Sequence, residues 1–210
     1  MTRSIDDLNS MHLDVLREIG NIGAGNAATS LSVMIQKKVD MKVPEVKIMD
    51  IGEVPGILGG EENLVSGIYF GMGGAVQGNI MVLMDIHSAK LLTSILMGKS
   101  PENIECNDEI PLDDMDRSAL QEIGNILSAS YITSLASLTN LRIDLSPPSL
   151  CVDMAGAILS VPAIQFGEIS DHVLMIENRL FDGSNEVTAN FFLIPDEASF
   201  GTLLEALGVS

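Results

Sequence analysis

Apolar residues Leu13, Leu16, Ile19, Ile22, Ala27, Leu31 and Met34 recur at helical spacing, which predicts a long helix over about residues 10–36 with Ser10 able to cap its start. Gly20, Gly23 and Gly25 interrupt that pattern. Each glycine costs about 1 kcal/mol relative to alanine, so their presence implies close approach of another backbone, from within the chain or from a partner. Strand-like segments follow at Val39–Met49, Val65–Met72 and Asn79–Asp85, the last two joined by Gly73-Gly74-Ala75. A short helix, His87–Met97, is stopped by Gly98. The polar, proline-bracketed stretch Lys99–Pro111 reads as a connection, and the order then repeats. Asp113–Leu138 predicts a second long helix, with Asp113, Asp114 and Asp116 near its positive end. Strands are expected at Arg142–Met154, Ala157–Gly167, Val173–Asp182 and Thr188–Pro195, and a last helix at Asp196–Leu207 ends on Gly208.

The repeat is also legible residue by residue. Glu18-Ile19-Gly20-Asn21-Ile22 recurs as Glu122-Ile123-Gly124-Asn125-Ile126, an offset of 122 − 18 = 104. Asp14 and Pro44 fall opposite Ser118 and Pro148 at the same offset. Thr29, Ser30 and Leu31 match Thr133, Ser134 and Leu135, which makes eight identities in the nineteen positions 17–35 and 121–139. The later offset of 208 − 98 = 110 between the helix-ending glycines places a gain of six residues in the second half, assigned to the β hairpins. The expected fold is α/β of the α+β type: duplicated α-β-β-β-α units related by a pseudo-two-fold, an antiparallel-rich pooled sheet, and the two long helices packed outside. The expected organisation is one domain over residues 1–210, with repeats at about 10–98 and 113–208 and a linker at 99–112. A duplicated unit packs through an internal two-fold as a dimer would, so a monomer is expected.

On a helix, positions i, i+4 and i+7 share a face, so Asp14, Glu18 and Asn21 form one polar row and Ser118, Glu122 and Asn125 another. The intervening isoleucines are expected to point into apolar surroundings. A polar row is usually just the wet side of an amphipathic helix. Keeping Glu and Asn in register twice, while most flanking residues drifted, favours chemistry instead. Asn has no titratable proton near neutrality but both donates and accepts hydrogen bonds, which suits holding a water molecule. Phosphoryl transfer uses that ability, since its catalysis is mostly positioning and electrostatics. Glu suits a cation such as a partner's lysine. No Lys, Arg or acidic cluster obviously completes a phosphate and Mg²⁺ site in this chain, which points to a protein substrate that carries its own metal site and phosphoryl group.

The pattern Asp/Ser-x₃-Glu-x₂-Asn-x₂₂-Pro, met at Asp14–Pro44 and again at Ser118–Pro148, resembles the signature of the CheC/CheX/FliY family of bacterial chemotaxis phosphatases. Two copies resemble the CheC branch more than CheX, which has one. The lack of an appended C-terminal segment speaks against FliY. The resemblance implies hydrolysis of the aspartyl-phosphate on the response regulator CheY. It makes Asn21 and Asn125 the water-positioning groups, and Glu18 and Glu122 contacts to the regulator's lysine. Asp14, Ser118, Pro44 and Pro148 become supporting positions. It further implies Mg²⁺ held by the regulator, no cofactor on this chain, and regulatory partnership with the deamidase CheD. The competing reading is a non-catalytic flagellar-switch or CheD-docking module of the same fold.

Composition narrows the rest. With 29 acidic against 11 basic residues the net charge is −18, which argues against binding nucleic acid or anionic membranes. The start of the chain has no basic-then-apolar signal pattern, and no apolar run reaches the roughly 18 residues of a membrane span. Cys106 and Cys151 read as free thiols, and a cytoplasmic location is expected. Gly23-Ala24-Gly25-Asn26-Ala27-Ala28 fits the dinucleotide pattern G-x-G-x-x-A, but it lacks the preceding strand that pattern needs. His12, His87 and His172 have no metal-ligand spacing, and the serines have no His–Asp partners.

Overall fold

The computed structural model describes residues 10–43, 45–99, 112–166, 172–182 and 185–208. The elements run α1 (Ser10–Ile35), β1 (Asp40–Lys42), β2 (Val46–Asp50), α2 (Val54–Ile57), β3 (Leu64–Gly74), β4 (Gly78–Asp85) and α3 (Ile86–Leu96). The second half follows with α4 (Asp114–Thr139), β5 (Ile143–Leu145), β6 (Ser149–Met154), α5 (Ala155–Phe166), β7 (His172–Asp182), β8 (Asn185–Pro195) and α6 (Glu197–Ala206). Ser10 lies inside α1, so it is not the residue before the helix. The expected linker at 99–112 falls almost wholly outside the described residues, as do Pro44 and Cys106.

Among the described residues, eight antiparallel strands form one sheet in the order β1-β7-β8-β4-β3-β5, with β2 also paired to β7 and β6 also paired to β3. β4 and β8 meet at the centre, with Ile80 opposite Leu193 and Val82 opposite Phe191. An antiparallel pair of equivalent strands carries a two-fold axis normal to the sheet, and this axis relates the halves. Across it the halves are interleaved. β1 and β2 of the first half pair with β7 of the second, while β5 and β6 pair with β3 of the first.

Both faces of the central strands are covered, so they read as apolar runs without alternation. Ile80, Val82, Met84, Phe191 and Leu193 face the core beneath α1, α4, α3 and α6. Their neighbours Met81, Leu83, Phe192 and Ile194 face a second core capped by α2 and α5. The second core corrects one expectation: of the strand expected at Ala157–Gly167, all but Gly167, which lies outside the described residues, is part of α5. A short apolar run does not distinguish strand from buried helix by periodicity, and a proline such as Pro162 is unfavourable in a helix interior. Ala155, Ile158 and Leu159, at helical spacing, are the buried face. The first amides of α5 donate to the turn before β3, Ala155 to the Asn63 carbonyl at 2.9 Å and Gly156 to that of Glu61 at 3.0 Å. Those carbonyls satisfy donors that a helix start leaves open. α2 occupies the same place in the first half, so each unit has a helical segment that the α-β-β-β-α reading lacked.

The strands expected at Val39–Met49 and Arg142–Met154 are each split in two. Leu145 pairs with Met72 and Ser149 with Tyr69, so four residue steps face three: a bulge. Lys42 pairs with Arg179 and Val46 with Ile176, giving the same count in the first half. Pro148 sits in this interval, where a missing amide costs no ladder bond. The long helices end alike as well, on Gln36 and Asn140 in left-handed conformation, 140 − 36 = 104 apart. The residues gained by the second half enter partly between β6 and β7, where α5 is longer than α2, and not only in the hairpins.

Glycine sets the depth of α1 and α4. A Cβ on Gly20 would lie 3.3 Å from Val46 and 3.7 Å from Ile176 of β7. One on Gly124 would lie 2.8 Å from Ile68 of β3, the counterpart of Ile176. Each long helix is therefore seated on a strand of the other half. Where the helices meet, a Cβ on Gly23 would come within 2.4 Å of the Tyr131 ring. Tyr131 is buried against Phe191, centroids 4.7 Å apart, and its hydroxyl donates to the Asn178 side chain. Gly23→Ala is expected to lower unfolding stability by about 1–3 kcal/mol in urea titration through overpacking against that ring. A change below about 0.5 kcal/mol would contradict this close contact.

Candidate functional site

Glu18 and Asn21 stand on the outer face of α1, and Glu122 and Asn125 on that of α4; all four are exposed. Their side chains take no hydrogen-bond or ion-pair partner among the described residues. Between the members of each pair lie an isoleucine and the buried glycine just described, with Ile19 and Ile123 4% and 0% exposed. Within each five-residue repeat, the Ile-Gly step anchors the helix and the flanking Glu and Asn are held out toward solvent. Ile22 does not follow the apolar expectation: it is 38% exposed beside Asn21, whereas Ile126 is half-buried.

The two halves bring Glu and Asn together in the same way but surround them differently. Asp14 is paired with Arg17 at 3.0 Å, one turn before Glu18, while the corresponding residues Ser118 and Gln121 are neutral. That ion pair is exposed and contributes little to stability. Pro148 is half-buried at the β5–β6 bulge, away from the exposed row, and the flanking Ser146 exchanges bonds with Gly71 at 2.8 and 2.9 Å. Pro148 thus belongs to the strand scaffold, and Pro44 lies outside the described residues. A polar depression of about 490 Å³ opens between α1 and α4, with Asn26, Thr29 and Ser30 on one wall and Asn125, Ala129 and Thr133 on the other. Asn26 donates to Ser134 at 3.3 Å across the helix crossing.

The N-terminus of α4, which leads to Glu122, is fixed by a cluster the sequence reading left unassigned. Asp113 and Asp116 form a reciprocal capping box, with Asp116 N–H donating to Asp113 at 2.8 Å and Asp113 N–H to Asp116 at 3.2 Å. Buried Asp116 also accepts from the Thr93 hydroxyl of α3 at 2.7 Å and meets Lys90 at 3.4 Å. The Asp113-x-x-Asp116 spacing was the available signal. Burial alone would raise the Asp116 pKa, but the Thr93 hydroxyl, the Asp113 amide and Lys90 together hold it below the usual carboxylate value. Among the described residues, no three His, Cys, Asp or Glu side chains converge on a cation position. The stretch Gly23–Ala28 lies within α1, without the strand-turn-helix that the dinucleotide pattern requires. Cys151 is a free, exposed thiol. No helix among the described residues is long and apolar enough to cross a membrane.

The duplicated helix-and-sheet architecture is shared with proteins of known structure. The fold is shared with FliY of Thermotoga maritima, at a TM-score of 0.71 and 23% identity over 100% of this chain and 99% of that one. The FliM middle domain of H. pylori shares it too, with a TM-score of 0.68 and 14% identity over 95% of this chain and 99% of that one. The chain belongs to the CheC-like family, whose sequence model matches residues 11–48 and 115–152, the same span twice at an offset of 104. It is 36% identical to the CheY-P phosphatase CheC of Bacillus subtilis over 200 residues, 94% of each chain. It is also 29% identical to the flagellar motor switch phosphatase FliY of the same organism, over 69% of this chain and 36% of that one.

The Asp116 cluster carries a pH dependence. A carboxyl whose folded pKa is depressed contributes stability above the unfolded value of about 3.9 and loses it as pH falls through the folded value. Asp116→Asn should therefore flatten the acid limb of unfolding stability measured from about pH 5 to pH 2. An unchanged limb would show that Asp116 has no such linkage.

Proposed function

We propose that this chain is a phosphatase for the aspartyl-phosphate of the phosphorylated response regulator CheY, working through Asn21 and Asn125. The observation that carries the reading is the pair of exposed Glu and Asn side chains, presented twice on rigidly seated helices in a member of the CheC-like family. The relative named CheY-P phosphatase CheC supports the substrate.

In this mechanism the helix face docks on the regulator and Asn enters its phosphorylation site. The carboxamide oxygen accepts from a water proton and the amide donates toward the phosphoryl group, which aligns the water oxygen for in-line attack on phosphorus. The P–O bond to the aspartyl carboxylate breaks, and inorganic phosphate leaves with the water's oxygen. The Mg²⁺ that neutralises developing charge is assigned to the regulator. Glu18 and Glu122, each nearly a helical turn before its Asn, bind the regulator's lysine and set the approach. CheD is assigned as the regulatory partner. This division leaves the chain without an ionisable catalytic group, in keeping with catalysis by positioning.

Removing a water-positioning group should cost on the order of 10²-fold at its own site. Because two sites contribute, Asn21→Ala or Asn125→Ala alone should leave the other site's share, roughly half if the sites are equal and independent. Steady-state phosphate release from phosphorylated CheY measures those shares, and two single variants both at the wild-type rate would count against either Asn acting. Glu18→Gln and Glu122→Gln should raise KM more than they lower kcat. A fall in kcat at constant KM would remove Glu from docking and give it a part in the chemical step.

A further inference from the structure

Three glycines interrupt α1, and internal packing accounts for two of them, Gly20 against Val46 and Gly23 against Tyr131. Gly25 differs. It is exposed, and a Cβ built on it meets nothing within 4 Å. Its backbone is ordinary helix, so no left-handed conformation calls for glycine. The Thr29 hydroxyl donates to its carbonyl at 2.9 Å, a bond any residue could accept. A glycine that weakens a helix for no internal reason points outward.

Its position says toward what. Gly25 lies one turn beyond Asn21 and continues the row Asp14, Glu18, Asn21. In α4 the same place, 104 residues on, is taken by Ala129, which is also exposed and lines the depression of about 490 Å³ beside Asn125. An Asn side chain has a single methylene between Cα and carboxamide, so the helix itself must come close to any phosphoryl group that Asn serves. A long side chain one turn away on the same face would hold the partner off.

We infer that Gly25 and Ala129 are contact points for the regulator's main chain. Their missing side chains let the loop carrying the acyl phosphate reach van der Waals distance of the helix, beside Asn21 or Asn125. They are positioning residues and take no part in bond making. The inference rests on the phosphatase reading above.

The test uses Gly25→Gln and Ala129→Gln, singly and together, since glutamine is a good helix former and the space around Gly25 is open. Gly201→Ala in α6, another glycine whose Cβ would meet nothing within 4 Å, is the matched control. Affinity is measured for CheY activated with Mg²⁺ and beryllofluoride, which takes the place of the phosphoryl group, and phosphate release gives kcat and KM. The double Gln variant should bind about tenfold or more weakly and raise KM while kcat changes little and the melting temperature does not fall. Gly25→Ala should raise the melting temperature and weaken binding by a smaller factor, whereas Gly201→Ala should leave binding unchanged. A double Gln variant that binds like wild type, while Asn21→Ala/Asn125→Ala has lost hydrolysis, would overturn this inference and leave the phosphatase reading standing. Hydrolysis retained by that Asn double variant would remove the Asn-based mechanism and this inference with it.

Discussion

Gly23 and Gly124 let two 26-residue helices settle against Tyr131 and Ile68 at distances that a side chain would forbid, and Gly20 brings α1 close on Val46. The orientation of Glu18, Asn21, Glu122 and Asn125 depends on that seating. With Ile19 and Ile123 buried and the following glycines pressed on Val46 and Ile68, each helix has one rotational setting, and it turns Glu and Asn outward. A packed interior costs energy to repack, so this setting is held without the site residues making bonds of their own. With no partner for them among the described residues, their hydrogen-bonding capacity is left for a ligand.

Interleaving strengthens the constraint. Since β1 and β2 pair with β7, and β5 and β6 with β3, neither half completes its own sheet. Each long helix lies on a strand that the other half supplies, Gly20 beside Ile176 and Gly124 beside Ile68. The halves need not be identical to satisfy this. Tyr131 fills the helix crossing opposite Gly23, and by symmetry the corresponding pair is Leu127 and Ala27, both fully buried. Large meets small in one register and small meets large in the other. The sites diverge in the same manner, with Asp14 and Arg17 paired beside one and neutral Ser118 and Gln121 beside the other.

Much of this was legible before any coordinates. The duplication, the long helices, the glycine stops at Gly98 and Gly208 and the polar row were all present in periodicity and in matched letters. What escaped did so for identifiable reasons. α5 is an apolar segment with a proline inside it, and only the second core shows why it coils. The bulge at Pro148 is a difference in count between paired strands, invisible until the partner is known. The interleaving is topological, and any single-sequence pattern is silent on which half a strand joins. Asp116 read as one more acid at a helix start, because Thr93 and Lys90 reach it from 23 and 26 residues away, as 116 − 93 and 116 − 90. Gly25 was legible as an anomaly, but only the packing of Gly20 and Gly23 set it apart from them.

The central claim is that a carboxamide on each long helix, and no other group of this chain, completes the hydrolysis of a partner's acyl phosphate. Single-turnover loss of label from phosphorylated CheY, mixed with excess wild type or with the Asn21→Ala/Asn125→Ala chain, tests it most directly. Wild type should speed the loss by roughly 10²-fold or more, and the double variant, folded and still binding, should return the regulator to its own slow rate. A double variant that speeds the loss as well as wild type would contradict the claim.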